Sequence, residues 1–352
     1  MLTVLDHLPE ELLSVQPEDI MQVLNGPTLI NLQGRRDDVL VMSVLLHGNE
    51  TTGFLALQSL LKKYRQHELP RSVSLLIGNV FAAQQLQRRL EGQPDYNRIW
   101  LPGDLPEHSM TREVLEHMRQ KKVFAAIDVH NNTGLNPHYA CVNRIDHRSI
   151  YLASLFSNTL VYFTRPEGVF TSAMADIGPS VVLECGLPGE SHGVDHVLEY
   201  LQACLHMEHI PTRDIPAQEF HLYHTVATVK VPSGLSFGFG DDPADIRFEC
   251  DLDHLNFREL PANTTIGRFN IGMNIWLDVQ DETGSEVGGR YFCYQDGEIL
   301  TTVPLMPSML TLDKRVIRQD CLCYLMESYP LSAHRADTAP DATQGPEMLP
   351  KS

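Results

Sequence analysis

A chain of 352 residues, 43% hydrophobic and 20% charged, can bury a full-sized core and has the make-up of an ordinary globular protein. Its formal net charge of −18 excludes nucleic acid and anionic membrane surfaces as partners, because both would be repelled. Small substrates are not constrained by that charge, since a few arginines can dominate a pocket.

The first fifteen residues carry acids and no basic leader, so no signal peptide is expected. The longest apolar runs, at 39–46 and 181–183, are too short to span a bilayer. Residues 39–46 read as a strand buried on both faces. Residues 51–64 follow as a helix, with Phe54, Leu57, Leu60 and Leu61 on one side. Further strands are expected at 73–77, 123–129, 159–163 and 180–183, and helices at 111–121, 147–157 and 194–207. This alternation predicts an α/β unit, residues 1–210, built on a largely parallel sheet flanked by helices. From 211 to 330 the helical period fades and turn signals come at short intervals, among them Pro232-Ser233-Gly234, Gly288-Gly289 and Asp296-Gly297. Short alternating runs at 225–231 and 274–279 lie between them, so this part is expected to form a smaller β-rich domain. Residues 331–352 are polar and aperiodic and are expected to be a disordered tail. Seven cysteines, an odd number without paired CxxC spacing, suggest reduced thiols and a cytoplasmic setting.

Four segments carry candidate chemistry. His47-Gly48-Asn49-Glu50 sits where the first buried strand gives way to its helix, the end of a parallel sheet at which ligands bind. A histidine and a carboxylate three residues apart can face one metal ion, although they can equally cap the helix. The strand at 123–129 delivers His130 into the polar segment Asn131-Asn132-Thr133-Gly134, completing a set of two histidines and one carboxylate suited to zinc. Asp128, two residues before His130 and on its side of the strand, is a candidate orienting carboxylate or simply an acid at a strand end. Glu184 closes the apolar run 181–183, where an unpartnered carboxylate is costly; beside a metal it can serve as general base. Arg88 and Arg89 precede Asp95-Tyr96-Asn97-Arg98, and arginines can polarise a carbonyl or anchor a carboxylate, unless residues 84–91 are only a solvated helix face.

In this order and at these intervals, HGNE, NR, DxHNNT and LExG resemble the succinylglutamate desuccinylase/aspartoacylase family of the zinc carboxypeptidase superfamily. The resemblance spans residues 39–205 and, more loosely, the β-rich remainder. It implies one Zn²⁺ per chain on His47, Glu50 and His130, with Glu184 as the general base. It implies that Asn97 and Arg98 hold the substrate carboxylate, and that Arg88 or Arg89 polarises the scissile carbonyl, with Arg88 preferred. Arg89 and Asn131 are placed with the substrate-binding residues. Family members that act on acidic acyl groups carry a further arginine about ten residues before the base. Residues 170–179 contain none, and Arg165 falls too early.

The expected activity is therefore hydrolysis of an amide bond in a small N-acyl amino acid or related carboxylate substrate, with a short peptide as the other candidate. A homo-oligomer is compatible with the sequence. The rival readings are a metallocarboxypeptidase acting on short or cell-wall peptides and a non-catalytic metal- or ligand-binding module. The peptidase needs an open groove, whereas a β-rich C-terminal part that narrows the entrance favours small molecules.

Overall fold

Alternation along the strand Val39–Val44 places Leu40, Met42 and Val44 in one apolar cluster and Val39 and Val41 in another, so the strand is covered on both faces. The same parity holds next door in Val73–Ile77, where Val73, Leu75 and Ile77 join the first cluster and Leu76 the second. A continuous apolar run is what a strand between two helical layers requires. The helices Thr52–Lys63, His147–Phe156 and Ser191–His206 cover the first face, and Pro106–Arg119 and Phe170–Met174 cover part of the second.

These relations belong to a computed structural model, which describes residues 1–211 and 219–330. The tail expected at 331–352 lies outside the described residues. A twelve-stranded mixed sheet forms the centre, with Val73–Ile77, Val39–Val44, Val123–His130 and Ser180–Glu184 as a parallel run in that spatial order. Tyr139–Val142 then pairs antiparallel with Ser180–Glu184, and Thr159–Tyr162 continues parallel to it. The later chain supplies His221–Lys230, Cys323–Ser328, Met306–Ser308 and Asp278–Asp281 to the same sheet. A separate five-stranded sheet is formed by Phe237–Phe239, Ile246–Phe248, Thr265–Phe269, Glu298–Thr301 and Phe292–Gln295. The expected class, α/β with a mostly parallel sheet and a smaller β-rich part, is the one observed.

Some elements differ from expectation. The helix expected at 111–121 begins at Pro106, whose locked φ suits a first helical turn. Residues 84–91 are not a helix: the chain makes only a short turn of helix at Val80–Ala83 and then loops. The strands Thr3–Leu5, Thr28–Leu32 and Tyr139–Val142 are additional. Tyr139–Val142 is only four residues long, so its alternation is too brief to register as a period. No helix among the described residues is long and apolar enough to cross a membrane.

Candidate active site

The site grows from the carboxyl ends of three parallel strands. Past Val39–Val44, Leu45 turns the chain with φ 56°, a left-handed conformation that a leucine adopts only under tertiary constraint. His47 and Glu50 lie on the loop that follows. Gly48 is required there: a Cβ would come within 2.2 Å of the Ala82 and Ala83 backbone. On the next strand, Ile127 and Val129 face the helical cluster, which turns Asp128 and His130 to the opposite face. Register then pairs His130 with Glu184 across adjacent parallel strands, so the two side chains stand side by side. On this stretch of the sheet, cover comes from Phe257, Met306, Met309 and Met326 of the later chain rather than from a helix. The cavity opens under that cover.

Two imidazoles converge on one carboxylate. His47 Nδ1 lies 2.8 Å from Glu50 Oε1, and His130 Nδ1 lies 2.6 Å from Glu50 Oε2. The far nitrogens meet carboxylates too: His47 Nε2 is 2.9 Å from Asp95 Oδ1, and His130 Nε2 is 2.8 Å from Asp128 Oδ2. All three residues are buried, and their candidate ligand atoms lie within 4.8 Å of one another. Burial opposes charge on His130, but Asp128 and Glu50 outweigh it and raise its pKa well above the ordinary value. Burial likewise opposes ionisation of Glu50, yet the two histidines hold its pKa far below the usual carboxylate range. The pocket is therefore built for positive charge. A divalent ion among the two Nδ1 atoms and Glu50 fits that demand and leaves Asp95 and Asp128 as acceptors for the outer N–H groups.

Glu184 sits beside this set. Its Oε2 accepts a hydrogen bond from Asn132 Nδ2 at 2.6 Å. Burial pushes its pKa up to about 8, against the attraction of His130 and with the repulsion of Glu50. A carboxyl poised near neutrality can both take and return a proton, and a nearby cation favours its ionised form.

The arginines separate into different surroundings. Arg88 lines the cavity, whereas Arg89 lies outside the lining and donates through Nη1 to the Gln93 carbonyl at 2.7 Å. Arg88 donates to Asp95 Oδ2 through Nε at 3.2 Å and Nη2 at 2.9 Å, and its Nη1 lies 3.6 Å from Glu50 Oε1. Arg98 also lines the cavity and donates through Nη2 to both oxygens of Asp320, at 3.0 and 3.2 Å. Asn97 accepts from the Phe170 N–H at 2.9 Å, and its Nδ2 is 3.2 Å from His130 Nε2. Asn131, expected among the substrate-binding residues, spends its side chain on the framework: Nδ2 donates to Thr52 Oγ1 and the Gly186 carbonyl, and Oδ1 accepts from the Thr52 N–H. It does reach the cavity lining. Arg165, too early by sequence offset, lines the cavity as well.

Apolar and aromatic groups complete the lining, chiefly Tyr139, Val161, Phe163, Val182, Met309 and Tyr324. Asp95, Asn132, Met309, Asp320 and Tyr324 were not assigned roles from sequence. Two of them offer a signal: Asp95 is a carboxylate inside the same short motif as Asn97 and Arg98, and Asn132 lies in the polar segment that follows His130. Met309, Asp320 and Tyr324 come from strands and turns more than a hundred residues downstream, where no local pattern marks them.

Residues 37–186 match the family described as the succinylglutamate desuccinylase/aspartoacylase catalytic domain, the family whose motifs the sequence carries. No curated protein sequence matches the chain. Among solved structures, succinylglutamate desuccinylase from Chromobacterium violaceum is similar at a TM-score of 0.53 and 16% identity, with 84% of this chain and 87% of that one covered. A succinylglutamate desuccinylase/aspartoacylase from Rhodobacter sphaeroides gives 0.56 and 14%, covering 85% and 88%. Murine aminoacylase 3 gives 0.54 and 13%, covering 84% and 95%. At these identities the likeness concerns the fold.

Proposed function

We propose that this chain is a zinc-dependent hydrolase that cleaves the amide bond of a small N-acyl amino acid or a close relative of one. The observation that carries the reading is the convergence of His47, Glu50 and His130 beside the buried Glu184, inside the segment that matches a deacylase catalytic domain. In this reading residues 1–210 are the catalytic unit, and residues 219–330, which carry Thr225, Ser308, Met309 and Tyr324 to the cavity, narrow the entrance.

His47, Glu50 and His130 would hold one Zn²⁺. When bound, that ion supplies Lewis acidity toward water and toward the scissile carbonyl. The rest is the work of side chains. Asp95 and Asp128 orient the two imidazoles through their outer nitrogens. Glu184 takes the proton of the attacking water and returns it to the departing amine. Arg88, which lines the cavity with its guanidinium against Glu50, would stabilise the negative charge that develops on the carbonyl oxygen. The apolar wall of Val161, Phe163 and Val182 excludes water and packs the organic part of the substrate. Ser308, Met309 and Tyr324 of the later chain line the same cavity, which favours a small molecule over an extended peptide.

Elemental analysis of wild type and His47→Ala, joined to turnover of N-acyl amino acids by wild type and Glu184→Gln, tests the proposal. About one zinc per chain is expected in wild type and almost none in His47→Ala. Glu184→Gln is expected to keep its zinc and lose roughly 10²- to 10⁴-fold in kcat. A wild type without metal after zinc reconstitution, or a Glu184→Gln variant of near-normal activity, would overturn it.

A further inference from the structure

Resting on that hydrolase reading, the cavity's charge pairing narrows the substrate. Its two deep cations are already matched by the protein. Arg98 gives Nη2 to both oxygens of Asp320, and Arg88 gives Nη2 to Asp320 Oδ2 at 3.1 Å while its other contacts go to Asp95 and Glu50. Asp320 is not carried on a loose loop. Its N–H donates to the Val316 carbonyl at 2.9 Å, closing the helix Lys314–Gln319. The following Cys321 and Leu322 are buried, and the Leu322 N–H donates to the Val229 carbonyl at 2.8 Å. Immediately afterwards the strand Cys323–Ser328 pairs with His221–Lys230. The backbone that carries this carboxylate is therefore held in place beside the arginines.

The third cation, Arg165, is half-exposed, pairs with Glu167 at 3.1 Å and donates to the Glu282 carbonyl. A substrate carboxylate arriving at Arg98 would therefore face Asp320 directly, with Asp95 and Glu50 paired to the neighbouring Arg88. Like charges brought together in a buried site repel strongly.

We infer that Asp320 is a resident counter-ion that fills the Arg98–Arg88 clamp, so that the substrate group lying there is neutral, a carboxamide or similarly masked carboxyl, rather than a free carboxylate. The chemistry is complementary. A primary amide offers a carbonyl oxygen to the Arg98 guanidinium and an N–H to the Asp320 carboxylate, satisfying both members of the pair. A free acid offers acceptors only. Asp320 is thus a specificity-determining residue, and it also disfavours a carboxypeptidase role, which needs an anchor for a terminal carboxylate.

The test compares N-acetyl-L-leucinamide with N-acetyl-L-leucine on zinc-loaded wild type, Asp320→Asn and Asp320→Ala. Zinc content and circular dichroism confirm that each variant is folded; the asparagine keeps an acceptor in place if the alanine does not fold. Wild type is expected to cleave the acetyl group of the amide with a kcat/KM at least about tenfold above that of the acid. Both variants are expected to gain about tenfold or more on the acid, chiefly through KM, as Arg98 becomes free. Preference for the acid in wild type, or an acid rate that Asp320 substitution leaves unchanged, would overturn the inference. If neither compound is turned over, the hydrolase reading fails on these substrates, and calorimetric binding of N-acetyl-L-leucine to Glu184→Gln decides the question separately. Binding that appears only when Asp320→Asn is added supports the counter-ion role. Equal binding with and without that change, or none in either, overturns it.

Discussion

Asp128 illustrates how much of this site is set one side chain beyond the candidate ligands. Its Oδ2 lies against His130 Nε2 and fixes the ring so that Nδ1 turns toward Glu50, and Asp95 does the same for His47. The sequence suggested the first of these from parity alone, because Asp128 and His130 are two apart on one strand. A positioning carboxylate of this kind affects the metal rather than the reaction. Asp128→Asn is expected to weaken zinc binding by about 10- to 100-fold, with a smaller effect on the kcat of the fully zinc-loaded enzyme. Competition with a chelator, read beside kcat at saturating zinc, checks this. Unchanged zinc affinity would show that the contact does not orient the ring. Cys141 and Cys185 flank the site, but burial pushes both thiols well up, so they act as small apolar groups rather than as nucleophiles.

Among the elements, the loop that carries His47 and Glu50 depends on a close approach to the turn of helix Val80–Ala83. The Gly48 N–H donates to the Arg88 carbonyl at 3.2 Å, so one contact registers the loop of His47 and Glu50 against the arginine loop. A side chain at Gly48 would collide with backbone atoms of Ala82 and Ala83, which cannot move aside as a flexible side chain would. Gly48→Ala is expected to cost about 1–3 kcal/mol in unfolding free energy. It should also separate Arg88 from Glu50, so activity falls further than stability predicts. Denaturant unfolding and kcat measured on one preparation test both parts. The helices around the sheet follow their apolar periodicity closely: Thr52–Lys63 buries Phe54, Leu57, Leu60 and Leu61, the stripe visible in the sequence. Boundaries shift where a local start signal lies outside the apolar stripe, as at Pro106, which begins its helix ahead of the periodic stretch.

For the molecule as a whole, Asp320 joins the later chain to the first unit through Arg88 and Arg98. Burial opposes ionisation of Asp320, but the two arginines outweigh it and hold its pKa below the usual carboxylate range. A depressed carboxylate contributes stability that is full above its unfolded value, near 4, and disappears as pH falls through the folded value. Wild type should therefore lose stability on acidification below about pH 4, and Asp320→Asn should lose less over the same interval. Unfolding free energies measured across that interval decide it; parallel curves for the two proteins would remove Asp320 from the acid transition.

What the sequence by itself determined is local in origin. Continuous apolar strands, striped helices and polar residues delivered at strand ends are short-range patterns, and they sufficed for the fold class and for grouping His47, Glu50, His130 and Glu184. Period and parity act over a few residues, so they can be read from the chain without knowing what packs against it. Only the tertiary structure decided which arginine enters the cavity, since Arg88 and Arg89 are neighbours distinguished by the path of an irregular loop. It also decided what meets Arg98. Asp320 lies 222 residues further on and reaches it only because Cys323–Ser328 pairs with His221–Lys230 at the far side of the same sheet. Strand pairing across such separations depends on the packing of the whole sheet, and no local pattern in the sequence encodes it.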